Sequence, residues 1–231
     1  MIAIIGAMEK EVETLRNMLD NRKDISAPMG NITCGTLCCR EVAVVKCGMG
    51  KVNMALCAQY LIDTFKPECI INTGIAGSLC NDIDIGDIVI GTSAVEHDMD
   101  ATPIGDEPGL IGILDTVYMP LDSRLAEIAM EANRRVNPEI KAFCGTIATG
   151  DQFIADDAKK AYIKNTFGAL CAEMEGGALA HVAAINHVPA LVVRAVSDKA
   201  DGSAEVAYFD KFVSLVIERG LRLICEIVKE F

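Results

Sequence analysis

Tryptophan is absent from the sequence, histidine occurs only three times, and aromatic residues make up 5% of the chain. The shortage of histidine argues against a zinc centre, which needs paired ligands at fixed spacing and usually includes imidazole. His97, His181 and His187 lie away from any cysteine cluster, and the ten cysteines form no Cys-x-x-Cys pair. Cys34, Cys38, Cys39, Cys47, Cys57, Cys69, Cys80, Cys144, Cys171 and Cys225 fall mostly in apolar stretches such as Glu68-Cys69-Ile70-Ile71. That placement predicts small core residues of a reduced, cytosolic protein. Basic residues are also in deficit: 21 Lys and Arg against 33 Asp and Glu leave a net charge of −12. Such a field repels a phosphate backbone, and no basic stripe with interleaved aromatics offsets it, so nucleic acid is excluded as a partner. No apolar run approaches the roughly 20 residues of a membrane helix. The opening Met1-Ile2-Ala3-Ile4-Ile5-Gly6 has no basic lead and meets acid by Glu9, so it reads as a first strand and not as a signal peptide.

The chain does have apolar residues in quantity, 51% of 231 positions. A domain of that size buries about three quarters of its unfolded surface and needs no metal or disulfide staple. β-branched apolar runs alternate with amphipathic stretches without a linker, which predicts one α/β domain over residues 1–231. Strands are expected over residues 2–5, 32–38, 42–46, 69–73, 87–95, 142–148, 169–172 and 189–196, several apolar throughout as strands covered on both faces are. Helices are expected over residues 9–19, 51–65, 122–135, 156–165, 176–186 and 209–228. Stripes at three- and four-residue spacing, Val52, Ala55, Leu56, Tyr60 and Val213, Val216, Ile217, Leu221, predict faces turned to the core. Residues 98–119 form the one long turn-rich excursion, of the kind that usually serves binding.

In open α/β sheets ligands bind beyond the carboxyl ends of the strands, and five such places carry reactive or unusually small residues. After the first strand, Gly6-Ala7-Met8-Glu9-Lys10-Glu11 presents carboxylates that either act on a ligand or complement a helix dipole. Asn72-Thr73-Gly74-Ile75-Ala76-Gly77-Ser78 reads as a small-residue loop open to close ligand approach or as a plain tight turn, and Gly48-Met49-Gly50 has the same two readings. In Ala172-Glu173-Met174-Glu175-Gly176-Gly177, a carboxylate beside an apolar strand end needs a partner, and sugar hydroxyls are suitable donors. Arg194, inside the apolar Leu191-Val192-Val193-Arg194-Ala195-Val196, must find an anion, and Asp198 just beyond it is a candidate acid.

Together, Ile4-Ile5-Gly6-Ala7-Met8-Glu9-Lys10-Glu11, Asn72-Thr73-Gly74-Ile75-Ala76-Gly77, Gly150-Asp151-Gln152-Phe153-Ile154, Glu173-Met174-Glu175 and Arg194-Ala195-Val196-Ser197-Asp198 occur in the order and spacing of one family. Over essentially its whole length the chain resembles the bacterial 5′-methylthioadenosine/S-adenosylhomocysteine nucleosidases of the nucleoside phosphorylase superfamily. The resemblance implies a three-layer α/β/α sandwich around a mixed, partly barrel-like β-sheet and a cytoplasmic homodimer. It further implies hydrolysis of the N-glycosidic bond of 5′-methylthioadenosine, S-adenosylhomocysteine and 5′-deoxyadenosine without metal or organic cofactor, serving methionine salvage and the recycling of S-adenosylmethionine by-products. Glu11 would then activate water and Asp198 protonate N7 of the leaving adenine. Glu175 would hold the ribose hydroxyls with Met174 against the sugar, Ile154 would bind adenine through its backbone, and Phe153 would stack on the base. Gly77, Ser197 and Arg194 would complete the pocket, Arg194 orienting the water and Glu175. Met8 and Phe209 would line the sugar and thioalkyl side, and a second copy's loop of residues 103–109 would close the apolar end.

Two positions depart from the family pattern: Ile75 replaces a small hydroxyl residue and Ile104 stands where a Phe is expected. A phosphorylase of the same superfamily needs a cationic clamp for phosphate; here the first turn is acidic, at Glu9 and Glu11, and Asn72 takes the place of an Arg. An aminodeoxyfutalosine nucleosidase would carry the same adenine-facing motifs. A non-catalytic nucleoside binder would have no need of Glu11, Glu175 and Asp198 together.

Overall fold

The computed structural model describes residues 1–201 and 206–231, the side chains of residues 206–213 and 215 excepted. In chain order the elements are β1 (Ile2–Gly6), α1 (Glu9–Asn17), β2 (Asp20–Ala27), β3 (Gly30–Leu37), β4 (Arg40–Lys46), α2 (Lys51–Phe65), β5 (Cys69–Ser78), β6 (Ile88–Glu96), β7 (Met119–Pro120) and α3 (Ser123–Val136). There follow β8 (Ala142–Thr149), α4 (Asp157–Phe167), β9 (Cys171–Glu173), α5 (Gly176–Asn186), β10 (Ala190–Asp198) and α6 (Val206–Lys229).

Strand alternation builds the layers. On β1, Ala3 and Ile5 join a core shared with Met54, Leu61 and Leu179 of α2 and α5, whereas Ile2 and Ile4 join one shared with Val12, Leu15 and Ile224 of α1 and α6. A strand that is apolar at every position is therefore covered on both faces, and the sheet lies between two helical layers. The sheet is mixed and ten-stranded, in the order β10-β6-β8-β9-β5-β1-β4-β3-β2, with β7 added on β6. A further pairing of β10 with β5 closes β10, β6, β8, β9 and β5 into a five-strand barrel, in agreement with the partly barrel-like sheet expected from the resemblance.

The structure departs from the sequence reading at several places. The strand expected to stop at Thr73 runs on to Ser78, so the Gly74 to Gly77 stretch is strand and not loop. Its glycines serve close approach: a Cβ on Gly77 would come 2.7 Å from Asp198 Oδ1 and 2.8 Å from Ala200 Cβ. The β2 strand, Asp-Asn-Arg-Lys-Asp-Ile-Ser-Ala, escaped notice because it is an exposed edge strand with no apolar alternation. Val52 and Leu56 point outward, 70% and 62% exposed, while Met54, Cys57, Ala58 and Leu61 form the buried face of α2. Both faces of that helix are apolar, so spacing alone could not choose between them. Of the cysteines, Cys47, Cys57, Cys69 and Cys171 are buried, but Cys39 and Cys144 are exposed and the other four half-buried.

Candidate active site

A cleft of about 610 Å³, its open mouth included, lies where the carboxyl ends of β1, β9 and β10 and the segments after β4 and β8 meet the distal half of β5. Met8, Glu11, Gly77, Phe153, Ile154, Met174, Glu175, Ser197 and Asp198 all line it. Arg194 lies behind the wall at 1% exposure, and the side chain of Phe209 falls outside the described residues. The lining also includes Met49, Ile75, Gln152 and Glu173, which sequence reasoning did not assign. Phe153 stands 60% exposed at the mouth, while Ile154 is buried.

Glu11 is brought in by the start of α1. From the third helical position its carboxylate reaches back, with Oε2 accepting the N–H of Ala7 at 2.7 Å and of Met8 at 2.9 Å. This is the reciprocal half of a capping box, so the dipole-complementing reading holds for Oε2. The other oxygen, Oε1, lies where a Cβ on Gly74 would come within 3.0 Å. Burial lifts the Glu11 carboxyl above its usual range, against the opposing pull of the Met8 N–H and the Arg194 guanidinium.

The anion demanded by Arg194 is Glu173. Arg194 Nε donates to Glu173 Oε2 at 3.1 Å, Nη2 pairs with the same carboxylate and with Asn72 Oδ1, and Nη1 donates to the Asn72 carbonyl at 3.2 Å. Arg194 also stands within ion-pair reach of Glu175, whose Oε2 is 4.0 Å from Nη2, and its positive charge pulls the Glu175 carboxyl down. Glu173 also accepts the N–H groups of Glu175 and Gly176 at 2.8 to 2.9 Å and the Thr149 hydroxyl, which caps α5 through a residue outside the helix. The sequence held the signal, since one buried Arg and one buried Glu without partners call for each other.

Glu175 follows on the same turn and is 7% exposed. Its Oε1 accepts the Gly50 N–H at 2.7 Å. Burial, then the adjacent Glu173 carboxylate, raise its carboxyl to about 7, although Arg194 and the Gly50 N–H pull it down. Asp198 is aimed by an irregularity in β10: the register against β5 shifts between Val196 and Asp198, which turns the last side chain of the strand. Its Oδ2 accepts the Ser197 hydroxyl at 2.8 Å and its Oδ1 the Ala200 N–H at 2.8 Å. Four carboxylates from three stretches of chain, Glu11, Glu173 with Glu175, and Asp198, thus share one cleft whose remaining lining is largely apolar. Among the described residues no group of three or more His, Cys, Asp or Glu side chains is arranged to hold a metal ion.

Residues 1–229 match the sequence model of the phosphorylase superfamily. A 5′-methylthioadenosine/S-adenosylhomocysteine nucleosidase of Halalkalibacterium halodurans is 38% identical over 228 residues, covering 98% of this chain and 97% of that protein. The crystal structure of the enzyme of that name from Neisseria meningitidis, in complex with methylthio-immucillin-A, is similar with a TM-score of 0.94 at 34% identity, covering 100% of this chain and 99% of the other. The corresponding Colwellia psychrerythraea structure, in complex with adenine, gives 0.93 at 30% identity, over 98% and 93% of the two chains. This chain belongs to the phosphorylase superfamily and, within it, to the 5′-methylthioadenosine/S-adenosylhomocysteine nucleosidases.

Proposed function

We propose that the protein hydrolyses the N-glycosidic bond of 5′-methylthioadenosine and S-adenosylhomocysteine, releasing adenine and the 5-thio-substituted ribose. The observation that carries this reading is the gathering of Glu11, Glu175 and Asp198, from three separate elements, in one cleft with an apolar mouth. Cleavage passes through an oxocarbenium-like state, which needs a protonated leaving group on one side and an activated water on the other. Asp198 delivers a proton to N7 of adenine as the bond from C1′ to N9 breaks. Glu11 takes a proton from the water that attacks C1′, a task suited to a carboxylate that burial has made more basic. Glu175 accepts hydrogen bonds from the ribose hydroxyls beside Met174, Ile154 meets the base through its backbone, and Phe153 stacks over it. Met8 and Phe209 are assigned to the sugar and thioalkyl side. Ser197 has one hydroxyl proton within reach of two acceptors, Asp198 Oδ2 at 2.8 Å and the Ala76 carbonyl at 3.3 Å. When Asp198 is protonated, that hydroxyl can accept from the carboxyl and donate to Ala76 instead, which suits a group that cycles between acid and base.

Water is favoured over phosphate as the nucleophile. Among the described residues lining the cleft none is Lys or Arg, and the Arg194 donors are occupied by Glu173 and Asn72, so a phosphate ion would meet carboxylates without a clamp. Adenine release from either nucleoside should proceed at equal rate with and without added phosphate, and a strict phosphate requirement would overturn the hydrolytic reading. Asp198→Asn should lower turnover about a hundredfold to ten-thousandfold; turnover at the wild-type rate would remove Asp198 from its role.

The reading extends to a homodimer. The loop of residues 103–109 does not line the cleft of its own chain, and Ile104 is 83% exposed. Met49, Val52 and Leu56 make an exposed apolar stripe beside the mouth, of the kind that marks an interface. Among the described residues no helix is long and apolar enough to cross a membrane. We place this single domain, with its unpaired thiols, in the cytoplasm.

A further inference from the structure

Residues 48–51 and 150–154 are far apart in sequence and are joined by a closed ring of polar contacts. The Lys51 N–H donates to Asp151 Oδ1 at 2.8 Å, the Asp151 N–H donates to Asp98 Oδ2 at 2.9 Å, and Lys51 Nζ returns to Asp98 Oδ1 at 2.7 Å. Lys51 Nζ also donates to Glu96 Oε2 at 2.9 Å. The first N–H groups of a helix need acceptors, yet α2 has Gly50 at its N-cap and no side chain there to supply one. Two distant carboxylates serve instead: Asp151 takes the Lys51 N–H and Glu175 takes the Gly50 N–H at 2.7 Å. The fit is close, since Gly50 has φ +99° and a Cβ there would come 2.9 Å from Asp151 Oδ1. One helix terminus is thereby gripped by the carboxylate that leads into the Phe153 and Ile154 segment and by the carboxylate on the ribose side.

We infer that Asp151, with Lys51 and Asp98, is a positioning group that couples the base side of the cleft to the ribose side by fixing the Gly50 N–H against Glu175. The inference rests on the proposed roles of Phe153, Ile154 and Glu175. The ring contributes no atom to the reaction; it holds the α2 terminus and the base-side segment in one register. Residues 98, 151 and 51 come from three different parts of the chain, so the coupling exists only in the folded molecule.

The charged groups facing Glu175 are Glu173 from β9, Arg194 from β10 and Glu11 from α1, with the Gly50 N–H from α2. Replacing Asp151 leaves all of these except the last in place. In Asp151→Ala the KM for 5′-methylthioadenosine should rise about tenfold to a hundredfold, with a smaller change in kcat. Binding of free adenine, followed by calorimetry, should weaken in parallel, because the base-side segment loses its anchor. The acidic limb of the kcat/KM profile should move to higher pH, because the Gly50 N–H no longer holds the Glu175 carboxyl down. A purely structural loss would lower the thermal midpoint without moving that limb. Asp151→Asn retains an Oδ1 that accepts the Lys51 N–H and should restore most of the KM. Lys51→Met attacks the ring from the other side and serves if Asp151→Ala does not fold; the double variant should fall short of additivity, as residues in one network do. If the wild-type protein releases adenine while Asp151→Ala or Lys51→Met keeps its KM and pH limb, the coupling is overturned and the proposed function stands. If the wild-type protein releases no adenine from either nucleoside, the proposed function fails and takes this inference with it.

Discussion

At Glu175, burial and the neighbouring Glu173 carboxylate raise the carboxyl from the usual 4.5 to about 7. The folded state therefore binds a proton that the unfolded chain has already released between those two values, and stability falls as pH rises through that window and levels off above it. Glu175→Gln removes the titrating group. Urea unfolding should show the variant gaining on the wild type by on the order of 2 kcal/mol in going from below about pH 5 to pH 8; a difference that stays constant with pH would contradict the assignment. Binding of a nucleoside whose hydroxyls donate to the ionised carboxylate should release protons near neutral pH, visible as a dependence of the binding enthalpy on buffer. Gly77 makes a second prediction at this scale. Alanine there must push aside Asp198 Oδ1 and Ala200, so Gly77→Ala should cost about 1–3 kcal/mol in stability. It should also lower kcat more than KM, because the displaced group is the proposed acid; unchanged kcat would show that the Asp198 position tolerates the shift.

Among the elements, α5 shows how a helix start can be governed from outside the helix. Glu175 at the N-cap makes no side-chain cap, and Glu173 accepts the first N–H groups while holding Arg194. Glu173→Ala would remove the cap and leave a fully buried guanidinium without its nearest counter-charge, a change that typically costs about 3–5 kcal/mol. Arg194→Met should destabilise comparably by stranding Glu173. In thermal or denaturant unfolding, the Glu173→Leu/Arg194→Met double variant should recover a large part of either loss; fully additive losses would mean that the two side chains act independently. The elements also show where sequence patterning suffices. The bounds expected for α2 and α5 match the structure residue for residue, because Gly50 precedes and Pro67 follows α2 while strand ends bound α5. The β2 strand was illegible because its stability comes from pairing with β3, not from an apolar face of its own.

For the whole molecule, the two apolar faces of α2 have different destinations. Met54, Cys57, Ala58 and Leu61 fill the core, while Met49, Val52 and Leu56 lie on the surface next to the cleft mouth. The paired substitution Val52→Lys/Leu56→Lys touches no buried contact and should leave the fold intact by circular dichroism. It should shift the sedimentation profile from dimer to monomer and raise KM if a second copy's loop closes the apolar end. A wild-type protein that sediments as a monomer would remove the homodimer from the proposed function.

By itself the sequence determined the α/β layering, because strands apolar at every position can only be covered on both faces, and it placed all six helices, two of them residue for residue and the other four to within three residues. Polar groups at strand ends singled out Glu11, Glu175 and Asp198, and the resemblance to the nucleosidase family supplied Met8, Gly77, Phe153, Ile154, Met174 and Ser197 of the cleft lining. Tertiary structure alone decided which of those groups face a ligand and which face each other. Glu173 and Glu175 flank Met174 in the same motif and both line the cleft, yet Glu173 is spent on Arg194 and the α5 terminus while Glu175 accepts only the Gly50 N–H. The closure of β10 on β5, the register shift that turns Asp198, and the grip of Asp151 on the start of α2 each join segments about a hundred residues apart. Such contacts depend on three-dimensional register, and no local pattern of residue types encodes it.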